Sequence, residues 1–327
     1  MMPAACMCAL DEQDSARTHT RQRGRSAVLS HALFPACDPG YQVRMETSEP
    51  SLVRRFGVKR IDNALAENVV DTVAAEEPLE VRVSYWFKEA KVADSLALTM
   101  RTPGHDRELA AGFLFSEGII RDRGDIVDLR PLGPEPSNEV IVELSKAVEL
   151  ESWRLARNTF VNSSCGVCGK RSREAITQLV PHQSADQTNA TCRFNSSLIS
   201  KLPELVREHQ QGFAKTGGLH AAALINSTGT VEKVFEDIGR HNALDKLIGW
   251  CVLNDRVPLT GSLLFLSSRS SFELIQKTII AGAPVLATVG GPSSLAIETA
   301  REYGITLLGF VRGERFNIYS GESRIDS

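Results

Sequence analysis

The stretch from Gly261 to Arg315 alternates apolar strand and amphipathic helix, and this rhythm constrains the fold more than any other feature of the chain. "GSLLFL" runs through "SSRSS" into a helix with Phe272, Ile275 and Ile279 on one side. "APVLATV" runs through "GGPSS" into a helix holding Leu295 and Ala296, and "ITLLGF" leads to "VRGER". Strand and helix in alternation predict an α/β fold built on a parallel sheet. The loops after successive strands of such a sheet gather at its carboxyl edge. Ser267 to Ser271, Gly290 to Ser294 and Val311 to Arg315 are therefore expected on one rim.

Two of those loops open directly into helices, whose first amides are unpaired and whose dipole favours an anion. Ser270, Ser271, Ser293 and Ser294 add hydroxyls, and Arg269, Arg312 and Arg315 add guanidinium forks suited to phosphate. In any one loop alone, serines that merely cap helices and arginines that form a solvated edge are the favoured explanation. Three loops on one edge favour a phosphate-bearing ligand, and a nucleotide fits; the chain has neither a Walker sequence nor G-x-G-x-x-G. "FEDIGRHNALDKLIGW" closes a strand and opens a helix with Leu244, Leu247, Ile248 and Cys251 on its apolar side. Arg240, His241, Asn242 and Asp245 sit at that helix entrance, where capping and ligand contact are both open. His220 in "TGGLHAAAL" follows two glycines and begins an apolar strand, where a satisfied core role is favoured slightly over a catalytic one.

Upstream, Leu79 to Tyr85 alternates like a strand, "SLALTM" makes a second, and "RTPGHD" turns into the helix "RELAAGFLFSEGII". Short strands near Ile126 and Val140 complete a small α+β domain. The division expected is a disordered tail over 1–50, an α+β domain over 51–150, a linker carrying a cysteine pair over 151–195, and an α/β cofactor-binding domain over 196–327. Within the tail no period of 2 or 3.6 persists, and both Met1 and Met45 are open as the start.

Composition limits the partners. A net charge of −3 gives no broad basic field for nucleic acid, so none is expected. The longest apolar run, Ile279 to Val289, is far short of the ~20 residues that span a bilayer, so no membrane association is expected. Seven cysteines, an odd number without a secretory leader, argue for a reducing cytoplasm over a disulfide framework.

"NSSCGVCGKRS" carries Cys165 and Cys168 between glycines, with Lys170, Arg171 and Arg173 following. As a zinc site the pair supplies two of four ligands, and His220 and His241 are distant candidates for the rest. The zinc deaminase order, H-x-E before P-C-x-x-C, is not met: the pair precedes His220, which continues as His-Ala-Ala. A dithiol switch would want the pair opening a helix after a strand, whereas this segment is loop-like. As a carrier, the thiolate is favoured by the basic side chains, and a persulfide is its natural cargo.

"SSCGVCGK", "TGGLHAAAL", "EDIGRHNALDKLIGW", "SFELIQK", "PSSLAIE" and "GFVRGERFNIYS", in that order and preceded by "MRTPGHDRELAAGFLFSEGII", closely resemble the formate dehydrogenase accessory sulfurtransferases, the FdhD/NarQ family. The resemblance runs from Val53 to Ile325. It implies a cytoplasmic sulfurtransferase that takes sulfur from a cysteine desulfurase and delivers it to the bis-molybdopterin guanine dinucleotide cofactor before apo formate dehydrogenase receives it. It further implies a homodimer, a cytidine-deaminase-like C-terminal domain beside a smaller α+β N-terminal domain, and no zinc. Cys165 matches the persulfide-forming cysteine and Cys168 its neighbour. Phe310, Val311, Arg312, Gly313, Glu314 and Arg315 match the residues that bind the molybdenum cofactor. Two rivals remain: a non-catalytic molybdenum cofactor chaperone and a zinc-dependent deaminase-like hydrolase.

Overall fold

The computed structural model describes residues 52–134, 137–148, 159–160 and 192–326. The expected tail, the linker cysteines Cys165 and Cys168, and the boundary near residue 150 lie outside the described residues. Residues Ser48–Ser327 form one compact unit.

The chain begins with an antiparallel hairpin, β1 (Val53–Asp62) and β2 (Leu65–Ala74), turning at Asn63 and Ala64, both with positive φ. Phe56, Val58, Ile61, Leu65 and Val70 are exposed along it. Next come β3 (Glu77–Phe87) and β4 (Ala90–Arg101), then α1 (Asp106–Ser116), β5 (Ile126–Pro131), β6 (Glu139–Leu144) and the short β7 (Thr159–Phe160). They form a five-stranded sheet in the order β5-β6-β3-β4-β7. Alternation buries Leu79, Val81 and Val83 of β3 and Val140, Val142 and Leu144 of β6. α1 stops sooner than its apolar pattern predicts, because Gly118 takes a left-handed φ of 67° and turns Ile119 and Ile120 into the core.

The remaining elements are β8 (Phe194–Asn195), α2 (Ser196–Arg207), α3 (Gln211–Thr216), β9 (His220–Ile225), β10 (Val231–Asp237), α4 (Arg240–Leu253), β11 (Leu263–Leu266), α5 (Phe272–Ile280), β12 (Val285–Thr288), α6 (Ser294–Glu302), β13 (Thr306–Arg312), β14 (Arg315–Ser320) and β15 (Ile325–Asp326). Six strands align as β10-β9-β11-β12-β13-β14. The three strands separated by helices, β11, β12 and β13, run parallel. The sheet as a whole is mixed: β9 pairs antiparallel with both β10 and β11, and β14 pairs antiparallel with β13, with tight turns joining β9 to β10 and β13 to β14.

Alternation along the central strands feeds two cores. Ala221, Ala223, Ile225, Phe265 and Val285 face α2, whose Ile199, Leu202 and Val206 cover them. Ala222, Leu224, Leu264 and Leu286 face the opposite way, into a core shared with α4, α5, α1 and the five-stranded sheet. α1 and α4 cross at two glycines. A Cβ at Gly112 would stand 1.9 Å from the Asp245 carbonyl oxygen, and one at Gly249 would stand 1.8 Å from that of Glu108.

Candidate functional site

The carboxyl edge of β11, β12 and β13 brings together the loops expected on one rim, and backbone bonds lock them. The Gly290 amide donates to Ser268 O at 3.0 Å, the Ser293 amide to Ser270 O at 3.0 Å, and the Phe310 amide to Gly290 O at 3.2 Å. Both glycines are demanded by close approach: a Cβ on Gly290 would meet Arg269 Cγ at 2.7 Å, and one on Gly291 the Phe310 ring at 2.6 Å. Since β9 is antiparallel to β11, its first residue, His220, reaches the same edge. β10 ends there too, and the amino end of α4 follows it.

The rim serines divide by task. Ser267 Oγ accepts from the Ala221 amide at 2.8 Å and so fastens β9. Ser293 Oγ accepts from the Ala296 amide at 3.2 Å and caps α6. Ser271 Oγ lies 3.4 Å from His241 Nε2 and bonds the Glu273 carboxylate. Ser270 is 2% exposed, and its Oγ has no hydrogen-bond partner among the described residues.

The helix-entrance cluster also divides. Asn242 turns inward, donating to Met100 O at 2.7 Å and to Asp237 Oδ1 at 3.2 Å. Asp245 is buried, accepting from Lys277 Nζ at 2.7 Å and from Ser116 Oγ at 3.1 Å. Burial pushes its carboxyl up, against the pull of the Lys277 ammonium. Both residues hold the fold together and are withdrawn from the rim. Arg240 and His241 remain. Arg240 Nε is buried without a partner among the described residues. His241 is held to about 4, first by burial and then by the Lys277 and Arg240 charges. His220 is lowered in the same way, by burial and by Arg240. Both imidazoles are therefore neutral near pH 7, each with one donor and one acceptor nitrogen. The core role expected of His220 fits its half-burial only in part, since it stands at the rim.

Phe310 to Arg315 form the end of β13 and its turn into β14. Phe310 has a φ of 54°, beside a register shift between Gly309 and Arg312. A bulky side chain in the left-handed region marks a position where the surroundings impose strain. Val311 points into the core beneath α2, while Arg312, Gly313, Glu314 and Arg315 are exposed. The Arg312 guanidinium lies over the Phe310 ring, 5.5 Å from its centroid.

Sequence reasoning missed the polar bracket behind the rim. Asp237, fully buried, pairs with Lys246 Nζ at 2.7 Å and accepts from the Thr102 amide at 3.1 Å; Lys246 Nζ also donates to Thr102 O at 2.8 Å. The two described cysteines, Cys192 and Cys251, are buried. Burial pushes the Cys251 thiol up to about 12 and raises that of Cys192 as well, which disfavours the thiolate at both. Among the described residues no helix is long and apolar enough to cross a membrane.

Comparison with known proteins follows this geometry. A protein from Streptomyces coelicolor named sulfur carrier protein FdhD is 42% identical over 280 residues, covering 84% of this chain and 96% of its own length. One of the same name from Saccharolobus solfataricus is 38% identical over 273 residues, covering 84% and 98%. A crystal structure from Desulfotalea psychrophila, described as a formate dehydrogenase accessory protein, superposes with a TM-score of 0.65 at 21% identity, covering 84% of this chain and 100% of that one. With residues 74–326 matching the FdhD/NarQ family as a whole, the chain belongs to that family.

Proposed function

We propose that the protein is a sulfurtransferase serving formate dehydrogenase maturation in the cytoplasm. It carries sulfur as a persulfide on Cys165, from a cysteine desulfurase to the bis-molybdopterin guanine dinucleotide cofactor that apo formate dehydrogenase then receives. The observation that carries this reading is the 42% identity, over most of both chains, to a protein named sulfur carrier protein FdhD. The Cys165 thiolate attacks the outer sulfur of the donor persulfide; a new S–S bond forms on Cys165, and the donor cysteine leaves as thiolate. Lys170, Arg171 and Arg173 favour the charged, attacking form. In delivery, Cys168 assists or resolves: as the resolving thiol it closes a Cys165–Cys168 disulfide as the outer sulfur departs reduced to sulfide, and a thiol reductant then restores the pair.

The client cofactor is a substrate, and its diphosphates are read as held at the rim, with Phe310, Val311, Arg312, Gly313, Glu314 and Arg315 as the binding segment. The exposed guanidinium groups of Arg312 and Arg315 support that assignment, and buried Val311 would contribute through its backbone. The six-stranded sheet with α4 and α5 on one face is read as cytidine-deaminase-like, beside the smaller α+β part over 51–150. A homodimer is proposed as the working form.

Incubation with an active desulfurase and cysteine should add ~32 Da to the peptide bearing Cys165, removable by reductant. Cys165→Ala should abolish both the adduct and formate dehydrogenase maturation. A variant that still matures the dehydrogenase would favour a cofactor chaperone that needs no thiol.

A further inference from the structure

The β1–β2 hairpin pairs without interruption from Val53 and Ala74 at its base to Asp62 and Leu65 at its tip, and among the described residues no third strand joins it. Every position from Arg54 to Asn68 is exposed, as is Val70. A ribbon of two strands is at best marginally stable in water, and gains stability from a third strand or from packing an apolar face. The base is anchored. The Ala75 amide donates to Leu52 O at 2.9 Å, and Arg54 pairs with Glu77, which also lies 3.7 Å from the buried Arg101 guanidinium. Strands of this length carry the tip about 30 Å from that anchor. Register sorts the side chains, since directly opposed residues share a face. One face carries Arg54, Phe56, Val58 and Arg60, opposite Val73, Asp71, Val69 and Glu67, with Leu65 at the tip. Its charges are of both signs, and Arg60 lies 3.7 Å from Glu67. The other face sets Arg55, Gly57, Lys59 and Ile61 opposite Thr72, Val70, Asn68 and Ala66, with two cations and no acid.

We propose that the hairpin is an exchanged arm, which lays its Phe56, Val58 and Leu65 face on the body of a second copy of this chain and receives that copy's arm in return. The inference rests on the reading of the protein as a homodimer and adds the surface that makes it. Three observations select this occupant and this face. An arm whose stability depends on being covered needs a cover that accompanies every folded molecule. A second copy does so, whereas a client met during delivery leaves again. Area sets the mode of contact: two exchanged arms, each with a face about 30 Å long and 10 Å wide, bury roughly 1,200 Å² counting both sides, where standard interfaces begin. Two ribbons packed on each other alone bury about half of that and fall short. Charge selects the face, because ions taken out of water need partners. Arg60 has Glu67 beside it, and Phe56, Val58 and Leu65, at 51%, 36% and 76% exposure, supply an apolar centre. Arg55 and Lys59 have no acid on their face and stay towards solvent.

Sedimentation of the full chain over a range of concentrations tests the arm. The wild type should sediment as a dimer, and the triple variant Phe56→Thr, Val58→Thr, Leu65→Thr should raise the dimer dissociation constant by roughly a hundredfold or more. Threonine keeps the β-branching that suits a strand, so the ribbon itself is spared, and thermal melts check that the body is folded. Arg55→Gln with Lys59→Gln, on the opposite face, should change the constant less than about threefold. Amide hydrogen exchange gives a second readout: β1 and β2 should exchange roughly tenfold more slowly in the wild-type dimer than in the triple variant. A wild-type chain that stays monomeric throughout would overturn the homodimer reading and the arm together. A dimer left intact by the triple variant would overturn the arm alone. Loss of the dimer with the Arg55 and Lys59 changes, equal to that of the triple variant, would overturn the choice of face. Protection of the hairpin that comes only on adding the desulfurase or apo formate dehydrogenase would give the arm to a different protein and overturn the second copy as its occupant.

Discussion

At the scale of single residues, His241 joins the chemistry of the rim to the stability of the chain. Its imidazole titrates near 6.5 in the unfolded chain and at about 4 in the fold, because burial and the neighbouring Lys277 and Arg240 charges oppose protonation. Between those values the unfolded chain takes up a proton that the folded chain refuses. Stability contributed by neutral His241 is therefore complete above about pH 6.5 and is lost as the pH falls towards 4, by about 3 kcal/mol in all. His220 shifts in the same direction, whereas the raised carboxyl of Asp245 works the opposite way. Comparison with His241→Gln isolates the one group. Urea unfolding at pH 7 and pH 4.5 should show the wild type losing more stability than the variant, and equal losses would show that the imidazole is not held neutral. The sequence singled out Arg240, His241, Asn242 and Asp245 together because they share one helix entrance. It could not separate them, since the partners that draw Asn242 and Asp245 inward, Met100 and Ser116, lie far away in the chain.

At the scale of elements, the parallel strands and their helices were legible because each buries a periodic apolar face: β11, β12 and β13 read as short continuous runs, and α5 shows Phe272, Ile275 and Ile279 at helical spacing. The β1–β2 hairpin was not legible. Its strands mix Arg54, Arg55, Lys59 and Arg60 with apolar residues and bury neither face, so no period of two sets it apart from loop. The α1–α4 crossing was hidden for another reason. Gly112 and Gly249 look like helix weaknesses in sequence, yet each is the only residue whose backbone lets the other helix come so close. Gly112→Ala or Gly249→Ala should thus destabilise the protein by about 1–3 kcal/mol or more through overpacking. The gain in helix propensity, roughly 1 kcal/mol, is too small to offset a Cβ placed against a carbonyl oxygen. Thermal denaturation reads the outcome, and a variant as stable as the wild type would mean that the helices can separate at no cost.

At the scale of the whole molecule, the five-stranded sheet and the rim are tied by the buried bracket of Thr102, Asp237 and Lys246. Thr102 follows β4 directly, Asp237 ends β10, and Lys246 lies on α4, so a single ion pair and its bonds fasten the end of one sheet to the helix that opens at the edge of the other. The Ile238 amide donates to Thr102 Oγ1 at 3.1 Å and the Gly239 amide to Asp237 Oδ1 at 2.8 Å, so the bracket also sets where α4 begins and hence where Arg240 and His241 stand. Charged residues on a helix are ordinarily solvated, and nothing local in "NALDKLIGW" tells that Lys246 is buried. The fold tolerates it because every charge there is paired and hydrogen-bonded. Removing one partner leaves the other buried and uncompensated, so Lys246→Met should cost about 3–5 kcal/mol. Because the apolar core is continuous from β3 through α1 to α4 and β11, the loss should fall on both sheets together. Chains retaining only Trp86, on β3, or only Trp250, on α4, report the two sides by fluorescence during denaturant unfolding. Their transitions should coincide in the wild-type background and shift together with Lys246→Met. A Trp86 transition that moves while that of Trp250 stays would show that the bracket serves the first sheet alone and does not position the rim.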